Sequence, residues 1–87
     1  MSNISFTEKA WEDYLYWQRT DKGLTRKINE LLKDIKRNGV SEGIGKPEAL
    51  KYRKAWSRRI NYEHRIVYAQ NENGDFVIFS LKGHYED

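Results

Sequence analysis

Arginine and histidine side chains that could bind a phosphate group are concentrated in the second half of this 87-residue chain. Arg59 and Arg65 flank a short polar stretch, and His84 follows near the end of the sequence. Guanidinium groups bind phosphate through paired hydrogen bonds, and imidazole exchanges protons near neutral pH. Together they could stabilise a phosphorane-like transition state and transfer protons. The same residues could equally form a charged surface, with ion pairs to Glu63 or Glu48.

Cysteine is absent, and His64 and His84 are the only histidines. A disulfide scaffold, a thiol nucleophile and a zinc–thiolate site are therefore excluded. The histidines are not spaced from each other in a pattern typical of metal ligands. We expect chemistry without a metal or a cofactor, and the lack of cysteine favours a cytoplasmic protein.

The charge balance suits an anionic partner. The formal net charge is +3 and the pI is about 9.2, which favours nucleic acid as a partner, although many small soluble domains share these values. The length predicts a single domain over residues 1–87. The chain is too apolar for disorder and too polar for a membrane span, and Met1-Ser2-Asn3 does not begin a signal peptide.

The first half of the chain predicts a short strand and two helices. Ile4 and Phe6 alternate with polar residues, and Thr7 is a suitable N-cap for a first helix. The following residues at helical spacing are expected to form its amphipathic face: Ala10, Trp11, Tyr14, Leu15 and Gln18. We assign Trp11, Tyr14 and Leu15 to the core. Tyr16 and Trp17 could belong to the edge of the core or to a partner surface.

The second helix has the clearest periodicity. Asp21 is a plausible cap, and Asn38-Gly39 is expected to end the helix. Its apolar positions are Leu24, Ile28, Leu31, Leu32 and Ile35. Its other face is basic, with Arg26, Lys27, Lys33, Lys36 and Arg37. That face could be solvated, or it could dock on RNA phosphates.

The remainder reads as a loop and three strands. Residues 40–50 contain two glycines and the only proline, which predicts a loop. Strands are predicted at 55–60, 64–70 and 76–81, with a hairpin turn around Asn73-Gly74. The element order is therefore β-α-α-β-β-β. The predicted fold class is α+β, an antiparallel twisted sheet with two N-terminal helices on one face.

Strand alternation divides the predicted sheet into two faces. With Asn73-Gly74 as the central turn residues, Arg65 lies opposite Lys82, and with a three-residue turn at 61–63, Arg59 lies opposite Arg65. The face against the helices then holds Ile60, His64, Ile66, Tyr68, Val77, Phe79, Leu81 and Tyr85. The open face holds Arg59, Arg65, Val67, Ile78, Ser80, Lys82 and His84. Arg58 falls on the face of the helices, and we expect it to reach solvent from an edge.

Five segments in order resemble the YoeB-type toxins of the RelE superfamily, and they cover nearly the whole chain. They are Trp-Glu-Asp-Tyr-Leu-Tyr-Trp-Gln at 11–18, Lys-Ile-Asn-Glu-Leu-Leu-Lys-Asp-Ile at 27–35, Gly-Lys-Pro-Glu-Ala-Leu-Lys at 45–51, Trp-Ser-Arg-Arg-Ile-Asn-Tyr-Glu-His-Arg-Ile-Val-Tyr at 56–68, and His-Tyr at 84–85. The segment at 56–68 is specific to this family, and the occurrence of all five segments in order is stronger evidence than any single segment.

The resemblance implies a cytoplasmic toxin with a microbial-RNase-like fold that binds the ribosomal A site and cuts mRNA there. It implies inhibition by a YefM-type antitoxin, repression of operator DNA only through the antitoxin complex, and a homodimer. The reaction expected is attack by the RNA 2′-hydroxyl, without a metal, leaving a 2′,3′-cyclic phosphate.

The resemblance also implies residue roles. Glu48 corresponds to the general base, Arg65 to the transition-state stabiliser, His84 to the general acid, and Tyr85 to a residue that orients substrate or catalytic groups. The expected RNA or phosphate contacts are Lys51 and Arg59, together with Lys82 from the open face. Two other functions remain open. One is a non-catalytic RNA- or ribosome-binding module with the same basic face, and the other is a protein-interaction domain that uses the aromatic surface at 14–17.

Overall fold

The computed structural model describes residues 2–84. Its elements are β1 (Ile4–Phe6), α1 (Glu8–Thr20), α2 (Lys22–Asn38), β2 (Glu48–Ala49), β3 (Trp56–Arg59), β4 (Arg65–Gln70) and β5 (Phe76–Ser80). Both predicted N-caps are confirmed, because the Thr7 hydroxyl accepts the N–H of Ala10 and the Asp21 carboxylate accepts that of Leu24. Gly39, with a φ of +86°, ends α2 as expected.

The described strands form one five-stranded sheet in the order β1-β5-β4-β3-β2, and the α+β class is confirmed. Two details of the prediction are wrong. β1 runs parallel to β5, so the sheet is mixed. The 40–50 segment also contains β2, which pairs with β3. The chain leaves β1 through two helices and not through a hairpin turn, so no local sequence signal sets its direction. β2 has only two residues, too few for an alternation to be recognised.

The core lies between the helices and one face of the sheet. From α2 it takes Ile28, Leu31 and Ile35, all fully buried as predicted. From α1 it takes Ala10 and Trp17, whereas Trp11 is 50% exposed and Leu15 is 38% exposed, so their assignment to the core was wrong. The inward line of α1 runs through Ala10, Asp13 and Trp17 at helical spacing. Because this line includes an aspartate, a search for regularly spaced apolar residues does not identify it.

The predicted register between β3 and β4 is confirmed. Arg59 lies opposite Arg65, and the Ile60 N–H donates to the His64 carbonyl. The turn at 61–63 is fixed by the Asn61 side chain, whose oxygen accepts the N–H groups of Glu63 and His64.

The predicted register between β4 and β5 is confirmed where Val67 lies opposite Ser80, but it is wrong by one residue between there and the turn. Tyr68 lies opposite Ile78, with a β-bulge between Val67 and Tyr68. The Asn71 side-chain oxygen accepts the N–H groups of Asn73 and Asp75, and this local bonding sets a three-residue connection at 72–74. Ile78 is consequently fully buried against the helices and does not lie on the open face. Phe79 contacts the guanidinium of Arg53, 4.5 Å from its ring centre.

Candidate active-site cleft

A polar cleft of about 330 Å³ lies on the side of the sheet opposite the helices. It is lined by Lys46, Glu48, Ala49, Leu50, Lys51, Ser57, Arg59, Arg65 and His84. The structure therefore brings together five of the seven residues proposed from the sequence: Glu48, Lys51, Arg59, Arg65 and His84. Tyr85 lies outside the described residues.

The sheet presents these side chains through simple alternation. Arg59 and Arg65 are direct cross-strand partners of β3 and β4, so their side chains share a face. Ser57 precedes Arg59 by two residues on that face, and it is paired with Glu48 of β2. The short strand β2 thus brings a carboxylate from a distant segment to the edge of the arginine pair.

Arg65 is held by several backbone contacts. Its peptide N–H donates to the Gly83 carbonyl at 3.0 Å, and its Nη1 donates to the Asn61 carbonyl at 3.0 Å. Its Nη2 lies 3.3 Å from Nε2 of His84. Because a guanidinium has only donors, this last contact is a hydrogen bond only when Nε2 carries no proton. An anion that enters the cleft would meet a guanidinium that is already oriented.

Residues 81–84 are fixed to α1 and to the β3–β4 turn through their backbone. The Leu81 N–H donates to the Asp13 carboxylate at 3.0 Å, and the Leu81 carbonyl accepts the indole N–H of Trp17 at 2.9 Å. The Gly83 N–H donates to Nδ1 of His64 at 2.9 Å. This segment carries His84 to the cleft.

Lys82 does not line the cleft. Its ammonium group lies 4.1 Å from the centre of the Tyr16 ring, on the side of α1. The prediction that it would lie opposite Arg65 was wrong, because β5 ends at Ser80 and beyond it the Gly83 carbonyl accepts the Arg65 N–H, so that the peptide of Gly83 takes that place. Lys82 therefore contributes a cation–π contact to the fold.

Arg58 is fully buried, and the expectation that it would reach solvent was wrong. Each of its five N–H donors has an acceptor. Its partners are Tyr68 Oη (2.7 Å), Asp34 Oδ2 (2.5 Å) and the carbonyls of Ile44 (3.1 Å), Gly39 (2.8 Å) and Glu42 (2.6 Å). One buried guanidinium thus fixes the segment 39–44, which leads to β2.

The next residues of this segment are also closely packed. The Gly45 carbonyl accepts the Arg59 N–H at 2.7 Å. Gly45 has a φ of +84°, and a Cβ there would lie 2.9 Å from Leu31 and 3.1 Å from the Arg59 carbonyl. Only glycine fits this backbone without displacement. Lys46 follows with a positive φ of 53° and reaches the cleft.

Two ionisable groups of the Arg58 cluster have shifted pKa values. Burial tends to raise the pKa of Asp34, but the hydrogen bonds from Arg58 and from the Ile44 N–H, with the charge of Arg58, bring it below 3.8. Burial raises the pKa of Tyr68 above 10.0, against the opposing effect of Arg58. The Tyr68 hydroxyl consequently stays protonated and donates to the Val40 carbonyl at 2.6 Å.

The lowered pKa of Asp34 predicts a dependence of stability on pH. The folded protein binds this proton more weakly than the unfolded chain does, so the ionised carboxylate stabilises the fold above pH 3.8, and this contribution is lost as the pH falls through the folded-state pKa. We expect Asp34→Asn to flatten the fall of the unfolding free energy below about pH 4. Urea unfolding at several pH values measures this, with the exposed Glu30→Gln on the same helix as control. Equal pH slopes for Asp34→Asn and the wild type would contradict it.

Two polar residues that line the cleft were not proposed from the sequence, Lys46 and Ser57. Lys46 lies in the segment Gly-Lys-Pro-Glu, but only the backbone path through Gly45 shows that its side chain enters the cleft. Ser57 could have been found, because it is two residues before Arg59 and alternation puts both on one face. Its side chain is a small hydroxyl at the floor of the cleft, and the residue is 8% exposed.

Among the described residues, there is no group of three or more histidines and carboxylates that could hold a metal ion. Neither of the two helices in residues 2–84 is long and apolar enough to cross a membrane.

Comparison with known proteins agrees with the fold. The chain is 50% identical over 84 residues to Toxin YoeB of Escherichia coli K12, covering 94% of this chain and 98% of that toxin. It superimposes on the toxin in a heterotetrameric YoeB–YefM complex from Staphylococcus aureus with a TM-score of 0.87, 54% identity, and coverage of 98% and 99%. It also superimposes on a Staphylococcus aureus YoeB dimer with a TM-score of 0.89 and 53% identity, covering 97% of this chain and 98% of that chain.

The shared fold and the matching family model define the class of this protein as a toxin of bacterial type II toxin–antitoxin systems. The chain belongs to the YoeB-like toxin family, whose model matches residues 6–85.

Proposed function

We propose that this protein is a ribosome-dependent endoribonuclease that cuts mRNA in the ribosomal A site and so inhibits translation in the cytoplasm. The observation that carries the proposal is the convergence of a carboxylate, two arginines and an imidazole, from Glu48, Arg59, Arg65 and His84, in one cleft. These groups supply a base, phosphate ligands and an acid, which are the requirements for RNA transesterification.

The proposed reaction uses the RNA 2′-hydroxyl as nucleophile. Glu48 takes its proton, and the 2′-oxygen attacks the adjacent phosphorus. Arg65, with Arg59 and Lys51 nearby, stabilises the negative charge of the phosphorane. His84 donates a proton to the departing 5′-oxygen as the P–O5′ bond breaks. The products are a 2′,3′-cyclic phosphate and a 5′-hydroxyl, and the chemistry proceeds without a metal or cofactor.

In this proposal the contact between Arg65 and His84 belongs to the free enzyme. A guanidinium donates to Nε2 of His84 only while that nitrogen lacks a proton. When a phosphate binds between the two side chains, Arg65 transfers its Nη2 donor to a phosphate oxygen, and a protonated His84 faces the leaving oxygen. Tyr85 follows directly and is proposed to orient the substrate or the catalytic groups.

The partners follow from the family. The relatives of known structure include a YoeB–YefM complex and a YoeB dimer. We therefore propose that this chain is held inactive by a YefM-type antitoxin, forms a homodimer, and takes part in operator binding only through the antitoxin complex. The exposed basic side chains of α2, such as Lys33 and Lys36, suit ribosomal RNA phosphates.

Primer extension on a translating mRNA, with purified protein, tests the proposal directly. We expect discrete cuts on ribosome-bound mRNA, far slower cutting of the same RNA without ribosomes, and products with cyclic phosphate ends. Co-expression of the antitoxin should abolish the cuts. If the mRNA stays intact while the protein binds the ribosome, the protein is a non-catalytic ribosome-binding module and the proposal fails.

A further inference from the structure

The peptide of Gly83, directly before His84, is held on both sides by neighbouring residues of the β3–β4 connection. Its N–H donates to Nδ1 of His64 at 2.9 Å, and its carbonyl accepts the N–H of Arg65 at 3.0 Å. We infer that His64 is a positioning residue of the cleft, whose imidazole holds Gly83 and thereby fixes His84 for proton transfer. The inference rests on the proposed function, in which His84 is the general acid.

The imidazole of His64 is itself held in one orientation. Its ring packs edge-to-face on Trp17, with centroids 4.8 Å apart and an interplanar angle of 65°. The side chain is 13% exposed, and Nε2 lies 3.8 Å from the Glu63 carboxylate. Because a peptide N–H only donates, Nδ1 must be the nitrogen without a proton in this contact. Trp17 is anchored in turn through its indole N–H to Leu81.

These contacts form a closed set around the segment that carries His84. Trp17 donates a hydrogen bond to Leu81 and packs edge-to-face against His64, and His64 accepts a hydrogen bond from Gly83. Gly83 has a φ of +101° and is exposed, so its backbone has wide conformational freedom when the hydrogen bond is lost.

Loss of this hydrogen bond should act on the chemical step. Proton transfer needs a donor within hydrogen-bond reach of the leaving oxygen, and a displacement of 1 Å can reduce a rate by about 10²-fold. Binding to the ribosome, in contrast, uses charges spread over the surface and should be insensitive to the position of one imidazole. A positioning role therefore predicts a lower maximal rate with unchanged affinity.

Two substitutions of His64 separate hydrogen bonding from packing. His64→Asn keeps an acceptor near the position of Nδ1 but loses the ring on Trp17, whereas His64→Phe keeps the ring and loses the acceptor. We expect His64→Phe to slow single-turnover cleavage on saturating ribosome complexes by about 10- to 100-fold, with unchanged ribosome affinity. We expect His64→Asn to retain most of the wild-type rate. Glu63→Gln, which alters only the contact at Nε2, is the matched control and should cut normally.

A double-mutant test distinguishes positioning from a general loss of structure. If His64 acts through His84, then His64→Phe should slow the wild type but should not slow a His84→Ala enzyme further. Equal slowing in both backgrounds would overturn the inference, as would wild-type rates for His64→Phe or an equally slow His64→Asn with an intact melting curve. His64→Leu, which also lacks an acceptor, replaces His64→Phe if that variant is unfolded at the assay temperature.

The outcome also separates this inference from the proposed function. A wild-type protein that leaves ribosome-bound mRNA uncut contradicts the proposed function and the inference with it. A wild type that cuts, together with a His64→Phe variant that cuts equally well, contradicts the positioning role alone.

Discussion

Single-turnover cleavage of ribosome-bound mRNA by the His84→Ala variant is expected to be about 10² to 10⁴ times slower than by the wild type, because loss of a general acid typically has this effect. Glu48→Ala should cause a loss in the same range, as the general base. Arg65→Ala should reduce the rate by roughly 10² to 10³, the usual effect of removing a preorganised group that stabilises charge. Glu48 and His84 are exposed, so neither truncation leaves a core cavity.

The control for these three variants is Lys82→Ala. Lys82 is also a cation near the end of the chain, but its ammonium group faces Tyr16 and not the cleft. We expect it to cut at close to the wild-type rate. Circular dichroism melts of every variant separate chemistry from stability. Wild-type rates for both His84→Ala and Arg65→Ala, with unchanged melting, would show that the proposed active site is wrong.

The second large effect concerns two adjacent arginines with opposite surroundings. Arg58 is fully buried and ion-paired with Asp34, whereas Arg59 is exposed in the cleft. Removing one partner of a buried ion pair costs about 3–5 kcal/mol, since the groups it leaves are buried without partners. We expect Arg58→Met to lower the free energy of unfolding by about this amount, and Arg59→Met to change it by less than about 0.5 kcal/mol.

Urea unfolding of the two methionine variants measures this difference, and the cleavage assay gives the opposite ranking. Arg59→Met should melt like the wild type and cut more slowly, because it loses a phosphate contact. An Asp34→Ala substitution in the Arg58→Met background should add little, since the pair is already broken. Similar unfolding midpoints for Arg58→Met and Arg59→Met would contradict the structural role of Arg58.

The parts of the cleft that lie within a short stretch of chain could be predicted from the sequence. Arg59 and Arg65 flank a three-residue turn, so alternation alone puts them on one face. The cleft also contains Glu48, but no periodicity indicated it, because β2 is only two residues long; its role came from the family resemblance. Glu48 could therefore be assigned from the family resemblance but not from the spacing of residue types.

The predicted placement of other residues was wrong or undecided for physical reasons that the sequence does not show. The partners of Arg58 are a tyrosine hydroxyl, a carboxylate 24 residues earlier and three loop carbonyls, and a backbone carbonyl cannot be recognised from residue type. Trp17 was left undecided because the inward line of α1 includes Asp13, whose carboxylate is satisfied by Leu81 and Lys9. Lys82 was misplaced because the strand pairing was extended beyond Ser80, where β5 ends, and the peptide of Gly83 lies beside Arg65.

The inner position of β5 has a consequence for the order in which the molecule assembles. β5 lies between β4 and β1, and the Thr7 N–H and hydroxyl bond to the carbonyls of Ile78 and Phe79. The pairing partners of β1 are 72 residues away in the chain, and such distant contacts form slowly. The helices and the β3–β4 hairpin need only local contacts. His84 completes the lining of the cleft, so a nascent chain that ends before residue 84 contains most of the fold but lacks the proposed activity.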